Sequence, residues 1–292
     1  MNIWISRYEL TARVNLNARA RSIVRRGALL CVGSGFADLH PWPELGDQDL
    51  DQQLSGLARG QLTPQVEASL ELAAIDAAAR ERGVSLFEGL SIPESHWPGV
   101  AGPAPQGFDT VKLKCGPHTT ASDLESAAAQ GLRLRLDFNE SLTLEQFERL
   151  APFMTSPPVD FVEDPIAYES GSWIDLRRRF GVRLAIDRKF ATDGVDVVVH
   201  KPALSTTLPA FDGEVVITSY MDHPVGQFGA AWFAARNQER VSARCGLFTH
   251  VIFESNVFAE AIQTNGSRLL PPNGTGIGFD DQLEKMTWVP LR

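Results

Sequence analysis

Three carboxylates, Asp137, Glu163 and Asp187, each close a short apolar run and follow one another at intervals of 26 and 24 residues. Each interval is about one strand-helix repeat, so three neighbouring parallel strands would set three acids side by side on one rim. Converging carboxylates cannot all stay ionised without a cation among them. Hard oxygen ligands favour Mg2+, with Mn2+ as the alternative, over zinc, and three protein ligands leave positions for a substrate carboxylate and water. Lysines flank the acids. Lys112-Leu113-Lys114 ends the strand before Asp137, and Lys201 ends the strand after Asp187. Side chains alternate along a strand, so Lys112 and Lys114 share a face. In a closed ring Lys114 and Lys201 would face each other across the metal. A lysine beside another cation and near a metal loses affinity for its proton and can serve as a base. Any one of these residues alone is an ordinary solvated loop cap. Five in series, in matching phase on successive strands, point to a barrel active site at the carboxyl ends of the strands.

The elements that would carry these residues are legible. Apolar runs at 110–114, 132–137, 159–163, 183–187, 195–201 and 215–219 alternate with helical stretches at 122–130, 144–154 and 173–180, and 243–247 follows as a later strand. Such alternation predicts a parallel sheet with right-handed crossovers. A closed barrel fits better than an open doubly wound sheet, since no G-x-G-x-x-G loop opens any helix. The steps from Asp187 to Lys201 and from Lys201 to Ser219 are too short for a full helix, so those crossovers are reduced. In the run 132–137 the leucines should face the helices, and Arg133, Arg135 and Asp137 the other way.

Residues 1–40 read as antiparallel strands, with basic Arg19, Arg21, Arg25 and Arg26 before the buried run Ala28–Val32. Thr63-Pro64, with Glu67 in the first turn and Gly83 at the end, predicts a capped helix over 63–82. The segment 92–107, rich in Pro and Gly, reads as a linker. Trp232 and Phe233 sit in an Ala-rich helical run and read as core.

A net charge of −9 argues against nucleic acid or an anionic membrane as partner. Cys31, Cys115 and Cys245 are isolated, which argues for a reducing compartment. With no signal-like start and no long apolar run, a cytoplasmic protein acting on a small-molecule carboxylate is expected, its oligomeric state open.

The motifs Lys112-Leu113-Lys114, Asp137-Phe138-Asn139, Val162-Glu163-Asp164-Pro165, Ile186-Asp187 and Lys201-Pro202 resemble those of the enolase superfamily. Within it, Leu134-Arg135-Leu136-Asp137, Val199-His200-Lys201-Pro202-Ala203, the stretch 274–280 and the cap segment 33–41 look most like the o-succinylbenzoate synthase family of menaquinone biosynthesis. The resemblance implies an α/β fold: a modified TIM-type (β/α) barrel over 99–269 with an N-terminal α+β capping domain over 1–98, completed by 270–292, and some barrel helices shortened. It implies a carbon-oxygen lyase with Asp137, Glu163 and Asp187 on Mg2+. Lys114 would be base and then acid, Lys201 a cation over the opposite ring face, and Lys112 and Arg135 would support the Lys114 side. Ser219, Asn139 and His40 are candidates for substrate contacts. Two departures are Asp222-His223, where relatives often carry Glu and Ser, and Phe248, where they often carry Asp. Racemisation of N-acylamino acids, epimerisation of dipeptides, or a non-catalytic scaffold are the competing readings on the same fold.

Overall fold

The computed structural model describes residues 2–14, 16, 22–155, 158–187 and 192–292. Arg19 and Arg21 lie outside them.

The chain opens with three antiparallel strands, β1 (Ile3–Thr11), β2 (Val24–Val32) and β3 (Gly35–Leu39), followed by α1 (Leu50–Ala58) and α2 (Pro64–Glu81). Asp49 caps α1 in a reciprocal box with Gln52, and Thr63 Oγ1 accepts from Val66 N ahead of Pro64. Such a cap is worth about 1 kcal/mol. Helix α2 lies so close on β3 that a Cβ on Gly35 would fall 1.9 Å from Ala73 O, which is why that position has no side chain.

The barrel strands are β5 (Trp97–Pro98), β6 (Thr110–Lys114), β7 (Arg133–Asp137), β8 (Val159–Glu163), β9 (Leu184–Asp187), β10 (Val197–His200) and β11 (Glu214–Ile217). They form one parallel sheet in sequence order. Helices α3 (Ala121–Ala128), α4 (Leu144–Met154) and α5 (Ser170–Phe180) fill the crossovers after β6, β7 and β8. No helix lies among the described residues between β9 and β10 or between β10 and β11, as the short spacings predicted. α6 (Pro224–Arg236) follows β11 and buries Trp232 and Phe233.

The ring closes through short pieces. β12 (Arg244–Cys245) pairs with β4 (Glu94–Ser95) in a second sheet that includes β13 (Thr264–Asn265) and β14 (Arg268–Leu269). A single bridge, Thr218 to Gly246, joins β11 to that sheet, and only His96 separates β4 from β5. The segment 92–107 is therefore not a bare linker: it contributes two strands. Two-residue strands beside Pro93 and Pro98 have no alternation to read, so the pattern missed them.

Phe161, Ala185, Val197, Val199 and Val216 pack inside the ring, while Leu134, Leu136, Val162, Ile186 and Val198 face the helices. The last strand, β15 (Val289–Pro290), pairs with β1, so the chain's end returns to the first sheet. Ile277 N and Phe36 N both donate to the buried Asp76, and Arg80 ties Asp76 to Asp280, fastening the 274–280 stretch to α2.

Candidate active site

Register decides which side chains meet. Lys114 pairs with Asp137 and Asp137 with Glu163 across β6, β7 and β8. Glu163 then pairs with Ala185, two residues before Asp187, and Asp187 pairs with Val199, two before Lys201. All five residues keep one phase, and the two-residue steps are the stagger of a barrel.

Their side chains interlock. Lys114 Nζ donates to Asp137 Oδ2 at 2.5 Å, Lys112 Nζ reaches Glu163 Oε1 at 2.6 Å and Asp137 Oδ2 at 3.0 Å, and Lys201 Nζ donates to Asp187 Oδ1. Burial works against the charge of Lys112, but the carboxylates of Asp137, Glu163 and Asp187 outweigh it and hold the ammonium protonated. Burial likewise opposes the charge of Asp137, and Lys112 and Lys114 overcome it, holding the pKa low. Glu163 differs: burial and the nearby Asp137 raise its pKa to about 7, with Lys112 opposing.

Carboxylate oxygens of Glu163, Asp164 and Asp187 gather within 4.8 Å of one another, with Asp137 beside them in the grip of two lysines. Asp164 was not among the residues singled out in the sequence. It has a left-handed backbone (φ 43°), and its pKa is raised by burial and then by Asp187. Among the described residues Glu163 Oε2 is buried without a hydrogen-bond partner. Clustered acids of hard oxygen donors with an orphaned oxygen suit a divalent cation.

The lysines and Asp187 open onto a cavity of about 80 Å3 that also takes in Trp42, His96, Asn139, Thr218, Ser219, Gly246 and Thr249. A larger chamber of about 390 Å3 shares Asp187 and Lys201 with it and is walled by the start of α2 and by β10. The smaller one holds both lysine flanks. Asn139, also in the left-handed region, donates from Nδ2 and N to Asp137 Oδ1 at 2.7 and 3.1 Å. Ser219 Oγ shares a hydrogen with Thr249 Oγ1 at 2.5 Å.

Some expected residues stand elsewhere. His40 is neither on the surface nor in the wall of either cavity. It is 2% exposed, and its Nδ1 meets Tyr8 Oη at 2.9 Å. The segment 33–41 is largely strand β3, which fixes His40 in the first sheet; Trp42, just past it, reaches the cavity instead. Arg135 is buried inside the ring, donating from Nε to Asp160 Oδ2 at 2.9 Å and from Nη1 to Arg244 O at 3.0 Å. Among the described residues it meets the site through His96, whose Nδ1 lies 3.0 Å from Arg135 Nη1. His96 is one of the cavity residues that sequence reasoning missed, with Trp42, Thr218, Gly246 and Thr249; a lone histidine between Pro93 and Pro98 carries no periodic signal. Asp222 and His223 are buried beside Asp38 and not in the cavity, and Phe248 packs in the core against Trp97 and Phe108.

A family model described as "O-succinylbenzoate synthase, N-terminal domain" matches residues 3–79. An o-succinylbenzoate synthase of Bdellovibrio bacteriovorus is 35% identical over 329 aligned positions, spanning 100% of this chain and 99% of that protein. Among solved structures, a mandelate racemase/muconate lactonizing protein from Herpetosiphon aurantiacus superposes with a TM-score of 0.76 at 16% identity, covering 94% of this chain and 96% of that one. A dipeptide epimerase from Cytophaga hutchinsonii gives 0.74 at 12% identity, covering 100% and 99%. At those identities the solved structures speak for the fold, and the Bdellovibrio relative for the family. A barrel rim of acids between lysines, a matching first domain and a full-length relative agree: the chain belongs to the o-succinylbenzoate synthase family.

Proposed function

We propose that the cavity carries out the syn-dehydration of 2-succinyl-6-hydroxy-2,4-cyclohexadiene-1-carboxylate to o-succinylbenzoate, with Mg2+ held by Asp137, Glu163 and Asp187. The ion supplies Lewis-acid neutralisation of the ring carboxylate, an effect worth several kcal/mol in such sites. Lys114 takes the proton from the carbon beside that carboxylate and returns it to the hydroxyl leaving from the same face. One residue on one face accounts for the syn course. Lys112, held charged by its carboxylate partners, is a fixed cation beside the substrate carboxylate. Lys201, from the far wall, sets a cation over the other ring face and stabilises the electron-rich π system. Trp42, Val100 and Ile252 line the cavity and exclude water. Asn139 orients Asp137, and Ser219 offers its hydroxyl to the succinyl chain.

One observation carries this reading: Lys114 and Lys201 border a single cavity, each paired with a different acid of the same cluster. A cap of residues 1–98, completed by 270–292, over a barrel of 99–269 is supported by β15 returning to β1, with the exception that β4 and β5, within 94–98, belong to the barrel ring. Among the described residues no helix is long and apolar enough to cross a membrane. In this reading the reaction belongs to menaquinone biosynthesis and runs in the cytoplasm.

A turnover assay with the cyclohexadiene substrate and with N-acylamino acids and dipeptides tests it. Aromatic product from the first is expected. Racemisation of an N-acylamino acid or epimerisation of a dipeptide, without dehydration, would overturn it.

A further inference from the structure

The two lysine flanks and the acids occupy one side of the cavity; the other side is neutral and polar. There Thr218, Ser219, Gly246 and His96 stand just beyond the short strands that close the ring, and Thr249 in the turn after β12. Among the described residues Thr218 Oγ1 is buried with no partner. His96 stands at the seam itself, between β4 and β5, its N donating to Cys245 O at 2.9 Å.

The hydrogen bond at its ring fixes its tautomer. A guanidinium has donors only, so at 3.0 Å from Arg135 Nη1 the His96 Nδ1 must accept, and the ring proton sits on Nε2. Arg135 cannot turn away: Asp160 and Arg244 O hold its nitrogens and Phe161 lies 4.8 Å beneath it. Burial, then the charges of Arg135, Lys112 and Lys114, push the imidazole pKa well below its usual value, so the ring stays neutral. Among the described residues Nε2 has no protein acceptor. Gly246 keeps that edge open, since a Cβ there would sit 2.9 Å from Nε2 and 2.8 Å from Cε1.

We infer that His96, through Nε2–H, is the donor that binds the keto oxygen of the substrate's succinyl chain, and that Arg135 positions it by fixing the tautomer. The inference rests on the function proposed above. The ring carboxylate belongs to the charged side, so an oxygen reaching the neutral wall comes from the other substituent. A neutral donor suits a carbonyl, and the glycine leaves room for the chain to approach.

Two ligands separate this role from a structural one: o-succinylbenzoate and 2-(3-carboxypropyl)benzoate, which keeps both carboxylates and lacks the keto oxygen. Calorimetry on the Mg2+-loaded wild type should show the keto compound binding about tenfold tighter, the size of one desolvated hydrogen bond. In His96→Leu the ratio should fall to near one, and His96→Gln, which keeps a donor, should restore part of it. An unchanged ratio in His96→Leu overturns the inference. Nitrogen-15 spectra of the unliganded wild type need no variant: an Nε2–H neutral ring is expected, and an Nδ1–H or doubly protonated ring overturns it. Failure of the proposed function is separate. It would show as a wild type that dehydrates nothing, and it would remove this inference too. A wild type that turns over but fails the ratio test removes the inference alone.

Discussion

Two of the places where the molecule buries acids are partnered differently. At the barrel mouth, Asp137, Glu163 and Asp187 are laced with Lys112, Lys114 and Lys201. At the seam between the first sheet and α6, Asp38 and Asp222 point their Oδ2 atoms into the space over Gly226, where a Cβ would be 2.7 Å from each. Their neighbours are Tyr8, whose hydroxyl donates to Asp38 at 2.6 Å, His40, and His223, whose N donates to Asp38 at 3.0 Å. Among the described residues neither acid has a lysine or arginine partner, and Asp222 Oδ1 has no partner at all. Burial and then Asp222 raise the pKa of Asp38, and burial raises that of Asp222 to about 7. Burial also lowers the pKa of His40 and takes that of His223 down to about 3, so neither imidazole brings a positive charge. Where two lysines grip a buried carboxylate, as at Asp137, they overcome burial and the pKa falls; where no cation is supplied, as at Asp38 and Asp222, burial raises it, and Glu163 stands between, its rise opposed by Lys112.

The largest effect should fall on the lysines that make the first cluster reactive. Lys114→Ala should lower kcat by about 10²–10⁴, the range of general acid–base catalysis, with an unchanged circular-dichroism spectrum. Unchanged turnover would remove Lys114 from the mechanism. Asp187→Asn should next weaken Mg2+ binding in a titration by at least tenfold, while Asp222→Asn leaves it unaltered; equal losses would erase the distinction between the clusters. The two sites should also differ in pH response. Glu163, with a pKa raised to about 7, must lose its proton to bind a cation, so Mg2+ affinity should fall by about tenfold per unit as pH drops below 7. At the seam the effect is on stability. The folded pKa of Asp222, about 7, exceeds its ordinary value of 3.8, so its contribution is full below about pH 4 and is lost as pH rises through 7. Denaturant melts should show the wild type losing up to about 1.4 kcal/mol per pH unit through this group, and Asp222→Asn a flatter profile. A slope that survives the substitution would assign it elsewhere.

How much of this was legible in the sequence differs from part to part. The strand ends were, because a buried parallel strand must announce itself as an apolar run and its charged terminus then stands out. The capped helix at Thr63-Pro64 and the reduced crossovers after Asp187 and Lys201 followed from local chemistry and chain length alone. His96 was not legible, since its strands are two residues long and its importance comes from Arg135, distant in sequence. Nor was the pairing of Asp38 with Asp222, which depends on the first sheet meeting α6. His40 was misjudged because nothing local to it says that Tyr8 covers it. Asp164 was passed over because its alternation aims it off the rim, and only its left-handed backbone turns it toward Asp187.

Anomalous diffraction from crystals soaked in Mn2+ would locate the ion directly. The account predicts one peak bounded by carboxylate oxygens of Asp137, Glu163 and Asp187, with Lys114 and Lys201 on either side. A peak held by Glu163, Asp164 and Asp187 that leaves Asp137 paired to its lysines, or no peak in the cavity, would contradict it.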